Sequence, residues 1–165
     1  MAEAFMAAAE FRRKGNLFED FFVGQTFRHH WGRTINAGDN SLFTTLTLNF
    51  VPLYFNAPYA RAHGHKDVVV APLLVFNIVL GLSVEDLSEI GGPFVGVDDL
   101  EWQRPVYPGD TLTAETETIA TRTSDSKPEF GLVTWRTIGR NQDGDQVIGF
   151  TRTNLVRKQA AGAFA

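Results

Sequence analysis

The sequence predicts an α+β domain in which an antiparallel sheet curls round one apolar helix. Three observations carry this. Four long segments after Gly91-Gly92 alternate polar with apolar residues and are rich in Val, Thr, Ile and Trp, the period-two signature of strands. One stretch opening at Pro72 is apolar on nearly every helical face, which marks a helix made for burial. A strand and a helical region precede it, so the order is strand, helices, then a run of strands.

The elements follow in chain order. Residues 1–20 have an apolar head with no basic region before it, so they read as an N-terminal arm or short helix rather than a secretory signal. Residues 21–160 are expected to form the domain. Residues 22–33 read as a turn and a strand, "VGQTF" followed by "RHHWGRTI". In "DNSLFTTLTLNF", Leu42, Phe43, Leu46 and Phe50 fall at helical spacing. Asp39 suits the N-cap or the first turn there. Pro52 is expected to stop that helix, and "NAPYARAHG" reads as another short helical turn ending at Gly64. In "VVVAPLLVFNIVLGLSVEDL", Pro72 occupies a first helical turn, where the missing N–H costs nothing. Leu73, Phe76, Asn77, Leu80 and Gly81 follow at 3.6 spacing. The strands "FVGVDDLEWQRPV", "DTLTAETETIATRTS", "FGLVTWRTIGRN" and "QVIGFTRTNLVRK" are separated by "YPGD", "SDSKPE" and "NQDGD", all turn chemistry.

Composition bounds the function. The 165 residues fit one domain, and 44% hydrophobic with 21% charged is ordinary for a globular chain. A net charge of −4 with no basic run argues against nucleic acid. There is no cysteine, so disulfides, zinc–thiolate sites and a cysteine nucleophile are excluded, and a reducing cytoplasm fits. No segment reaches the roughly 18 apolar residues of a membrane helix. His63 and His65 flank Gly64 without carboxylates at metal-ligand spacing, so they read as loop residues and no metal site is expected. His29 and His30 sit in a predicted strand and read as structural or interfacial. No Gly-rich phosphate loop is present, and no cofactor is expected.

The motifs together resemble a known family. "RTINAGDNSLFTTLTLNFVPLYFNAPYA" is similar, without a gap, to the overhang of the MaoC-like (R)-specific enoyl-CoA hydratases and dehydratases. "EWQRPVYPGDTLTAETE" is similar to the strand-turn-strand after their central helix, and "GLVTWRTIGRNQDGDQVI" to their terminal hairpin. The resemblance covers roughly residues 20–158 and implies a single MaoC-like hotdog domain. It also implies addition of water to an enoyl thioester, or the reverse, by an Asp and a His five positions apart. A backbone N–H at the start of the central helix, usually from a Gly, polarises the thioester carbonyl. Here the Asp position is Asn49, the His position is Tyr54, and the Gly position is Pro72. The flanking Pro52, Leu53 and Ala60 match. Asp39 matches an acidic residue before the catalytic segment and does not replace the missing Asp.

Each of these residues has a plainer reading beside the catalytic one. Asn49 suits a helix C-cap before Pro. Tyr54 suits a core aromatic with its hydroxyl at the rim. Asn56 suits the cap of the short helix at Pro58, while the resemblance also places Asn56, Pro72 and Leu73 against substrate. Asn does not titrate near neutrality, a phenol with an ordinary pKa of about 10 is a poor base, and Pro has no N–H. Three functions remain open. The chain is an active hydratase with Tyr54 as proton donor and Asn49 orienting water. Or it is a silent acyl-binding subunit, a homodimer alone or a heterodimer with a hotdog chain bearing Asp and His. Or it is a hotdog thioesterase, ranked last because Glu85 and Asp86 lie late on the helix. The acyl carrier, CoA or acyl carrier protein, stays open, with Arg104 and Lys66 as candidate phosphate contacts.

Overall fold

The computed structural model describes residues 15–161. Six strands form one antiparallel sheet: β1 (Thr26–Arg28), β2 (Arg33–Thr34), β3 (Phe94–Trp102), β4 (Thr111–Thr123), β5 (Phe130–Arg140) and β6 (Gln146–Arg157). Their order is β1-β4-β5-β6-β3, with β2 also pairing β4. The last three are a meander of consecutive neighbours, as their turn chemistry requires. β3 lies at one edge against β6, with two register shifts that interrupt its ladder. Between β2 and β3 run four helices: α1 (Ala37–Leu46), α2 (Ala57–Ala62), α3 (Pro72–Leu82) and the single turn α4 (Val84–Leu87). Thus the four predicted long strands and the apolar helix all form.

Strand alternation gives the sheet its inner face. Leu112, Ala114, Val133, Trp135, Ile148, Phe150 and Val156 are buried there. α3 lies on this face through Val75 and Val79. The helix approaches closely at Gly139 of β5, where an added Cβ would stand 2.7 Å from a Val79 methyl. Phe76 meets Phe150 edge-on at 5.0 Å. A second apolar cluster gathers Phe21, Leu87, Val133, Trp135 and Val156. The 3-10 turn Phe18–Asp20 packs there, with the Phe18 ring filling the space that a side chain at Gly131 would need. Residues 1–14 of the predicted N-terminal arm lie outside the described residues.

Two expectations change. α3 is not enclosed on all sides: Leu73, Asn77 and Gly81 form an exposed stripe. A helix is about 10–12 Å across, and one sheet covers only the side it touches. Nor does Pro52 stop α1, which ends at Leu46. Leu48 there adopts φ 54°. Its N–H donates to the Thr45 carbonyl at 3.3 Å, and the Asn49 N–H donates to the Thr44 carbonyl at 2.9 Å. This is the double hydrogen bond of a Schellman stop, with Leu where Gly is usual. Among the described residues, no helix is long and apolar enough to cross a membrane.

Candidate active site

The candidate site grows from the start of α1. Asn36 caps the helix by accepting from the Asp39 N–H, and Asp39 accepts from the Asn36 N–H, both at 2.9 Å. Arg33 braces Asp39 at 2.9 Å. Asp39 is therefore the first-turn carboxylate of a capping box, not the cap. The fixed start of α1 aims Asn40 inward, where it is 1% exposed. Its amide nitrogen donates to the Tyr54 carbonyl at 2.7 Å and to the Val69 carbonyl at 3.1 Å. Its oxygen accepts from the Ala71 N–H at 2.9 Å. One side chain thus ties together α1, the overhang and the start of α3, with three bonds of the four an amide can make.

The overhang hangs on this clasp. Asn49 leaves the Schellman stop half-buried, one residue beyond Leu48. It follows the helix stop and does not cap α1, whose C-cap is Thr47. Pro52–Tyr54 form a 3-10 turn closed by the Tyr54 N–H on the Val51 carbonyl at 3.0 Å. The Leu53 carbonyl accepts from the Val69 N–H at 2.9 Å, a second tie between overhang and helix start. Neither the Asn49 amide nor the Tyr54 hydroxyl makes a hydrogen bond, to each other or to another described residue. The clasp holds the Tyr54 backbone and leaves its phenol uncommitted. Asn56 caps α2, accepting from the Tyr59 N–H at 3.1 Å. That bond engages the amide oxygen alone; the resemblance sets the same side chain against substrate.

Pro72 is the first residue of α3 and offers no N–H. Its carbonyl accepts from the Trp102 indole at 2.9 Å. The Leu74 N–H is taken by the Ala71 carbonyl at 2.9 Å, but the Leu73 N–H has no partner among the described residues. A donor therefore survives one residue beyond the expected place, at the positive end of an 11-residue helix. Beside it a groove of ≈ 200 Å³ is lined by Val69, Val70, Pro72, Trp102, Arg104 and Val106, among others.

The other titratable groups stand elsewhere. His29 is buried, with Nδ1 2.5 Å from an Asp86 carboxylate oxygen and Nε2 2.9 Å from the Thr116 hydroxyl. Burial holds its imidazole below the ordinary value, against the pull of Asp86. His30 faces Glu85 at 3.7 Å. Both acids lie past the C-terminal end of α3, about 16 Å of helix from Pro72, and engaged with histidines. They are poorly placed for a thioesterase carboxylate at the helix start. Sequence reasoning missed Asn40 and the His29–Asp86 pair. An Asn inside an apolar helical pattern was the available signal for the first; the second joins residues 57 apart and had none.

The family model for mesaconyl-CoA hydratase matches residues 2–163. The chain belongs to the mesaconyl-CoA hydratase family. It is 35% identical to the mesaconyl-CoA hydratase of Haloarcula hispanica, over 98% of this chain and 45% of that protein. In structure it is similar to a MaoC-domain protein of Chloroflexus aurantiacus, with a TM-score of 0.84 and 35% identity over 92% of this chain and 43% of that one. A Mycobacterium tuberculosis protein with a double hotdog fold shares the fold alone: TM-score 0.82, 22% identity, 92% of this chain and 47% of that one. The chain thus spans about half the length of these proteins, and its described part is one hotdog, an antiparallel sheet on a central helix.

Proposed function

We propose that this mesaconyl-CoA hydratase family chain takes part in hydration of an enoyl-CoA thioester, or the reverse dehydration, as the binding half of a two-hotdog unit. The observation that carries this is the overhang. Its scaffold is built with care by Asn40, the capping box and the Pro52–Tyr54 turn, yet Asn49 and Tyr54 stand where acid–base chemistry is expected. General acid–base help is worth about 10²–10⁴ in rate, so a chain without it needs an Asp and a His from elsewhere. The second hotdog, whether in the same polypeptide or another, would bring them. The exposed stripe of α3 and the exposed apolar overhang residues Leu42, Leu46, Phe50 and Phe55 are the surface such a unit would cover. Alone, the chain would pair with a copy of itself, sheet edge to sheet edge through β3, an open edge being prone to pairing. A cytoplasmic setting fits the absence of cysteine.

A second reading rests on the free Leu73 N–H. In an active enzyme it would polarise the thioester carbonyl, a contribution of about 10²–10³, while Tyr54 gave the proton and Asn49 held the water. Turnover of mesaconyl-CoA and crotonyl-CoA separates the two. The binding-half reading expects hydration only after mixing or fusing with an Asp- and His-bearing hotdog, indifferent to Tyr54→Phe. Robust hydration by the chain alone, lost in Tyr54→Phe, would overturn it and establish the rewired site.

A further inference from the structure

The segment between α2 and α3 reads Arg61-Ala-His63-Gly-His65-Lys66-Asp67, a local excess of cations in a chain of net charge −4. The fold ties it to the segment that holds Arg104, through Val70 on one side and Tyr107 on the other. The Val70 N–H donates to the Val106 carbonyl at 2.8 Å, which lays the segment leading into α3 beside the segment leaving β3. Tyr107, next along, is the fixed point between them. Its hydroxyl meets His65 Nδ1 at 3.0 Å, and Lys66 Nζ stands 4.5 Å from its ring centroid. Asp110 pins the Tyr107 backbone by accepting its N–H at 2.8 Å. Lys66 has no carboxylate partner among the described residues. Arg104 lines the groove beside Pro72 and reaches Asp145 only at 3.5 Å, with its side chain 60% exposed.

From this arrangement we infer that Lys66, His65 and Arg104 form the phosphate-recognition site for coenzyme A, with the groove between Val69–Val70 and Trp102–Val106 taking the pantetheine arm. The inference rests on the hydratase reading for the direction of the arm, whose thioester end lies at the Leu73 N–H. The apolar walls of the groove suit a neutral, flexible arm. The cations beyond suit a group of several negative charges. Two acids stand nearby, Asp67 and Asp145, each already paired at 3.7 Å and 3.5 Å with Arg61 and Arg104. Exposed pairs of that kind contribute little, so a phosphate can take Arg104 from Asp145. Lys66 keeps its donors for the ligand, because it meets Tyr107 over the π face of the ring and has no carboxylate partner among the described residues. A carrier protein would offer the same arm through a single phosphodiester and has no use for a cation set of this depth.

Calorimetric titration of the full chain with CoA, 3′-dephospho-CoA and pantetheine tests the site without turnover. CoA is expected to bind most tightly and pantetheine most weakly, with affinity for CoA falling as salt rises. Lys66→Gln should weaken CoA about tenfold, one charged contact's worth, and leave pantetheine unchanged; Arg104→Gln, in the groove wall itself, should weaken CoA more than it weakens pantetheine; Lys66→Arg should restore CoA binding. Equal losses for CoA and pantetheine would show a merely structural role and overturn the proposal. So would tighter binding of an acyl carrier protein, or hydratase turnover in an assembled unit that ignores both substitutions. CoA binding with this dependence, in a chain that hydrates nothing even with a second hotdog, would uphold the site and remove the hydratase reading instead.

Discussion

Asn40 and Leu48 carry opposite lessons about single residues. The Asn40 amide serves three backbone groups, two of them in buried bonds, so removing it strands an N–H and two carbonyls. Asn40→Ala is expected to cost about 3 kcal/mol, read as a lowered urea midpoint. It should also abolish whatever thioester binding or turnover the wild type shows, since the overhang loses its tie to α3. Leu48 is 72% exposed and held at φ 54°, a conformation that costs a side chain about 1 kcal/mol or more. Leu48→Gly should therefore raise stability by several tenths of a kcal/mol to about 1 kcal/mol, although it removes an apolar side chain. A wild type that proves more stable than the Gly variant would mean that Leu48 is covered in solution by another surface.

At the scale of elements, α3 and β5 meet where Gly139 leaves no room. Val79 and Ile148 both stand within 2.7 Å of a Cβ placed there, and both are β-branched and stiff. Gly139→Ala should lift the helix off the sheet and cost about 1–3 kcal/mol, visible as a lower melting temperature. An unchanged melting temperature would show that the helix shifts freely. The long elements were legible in the sequence because each repeats a period: two along β3 to β6, 3.6 along α3. The end of α1 was not, because its stop is a backbone conformation that Leu adopts here in place of the Gly that usually announces it. For the site, the resemblance named positions, Asn49, Tyr54 and Pro72, and could name no contacts. Asn40 reaches Val69 and Ala71 across some 30 residues, and no local pattern records that. Asn56 was readable from its neighbours alone, as the cap before an Ala-Pro helix start.

Across the whole molecule, the buried His29 links stability to pH. Its folded imidazole is held below the ordinary value mainly by burial, while the unfolded chain protonates near the ordinary value of about 6.5. Above that pH both states are neutral and the stability is fully present. As the pH falls through about 6.5, the unfolded state gains a proton first, so stability declines until the folded imidazole protonates as well. Denaturation midpoints between pH 8 and pH 5 should show this decline, and His29→Gln should flatten it. An equal decline in the variant would assign the effect to the carboxylates instead.

The Asn40 clasp has a consequence in time as well as in space. The same amide closes the overhang and the start of α3, and the Val69 N–H on the Leu53 carbonyl doubles that closure. The two segments therefore cannot breathe separately. In amide hydrogen exchange, Val69 and Ala71 should exchange at one common rate set by a single opening, and Asn40→Ala should speed both by the same factor. Admission of a thioester and exposure of the helix start would then be one event rather than two.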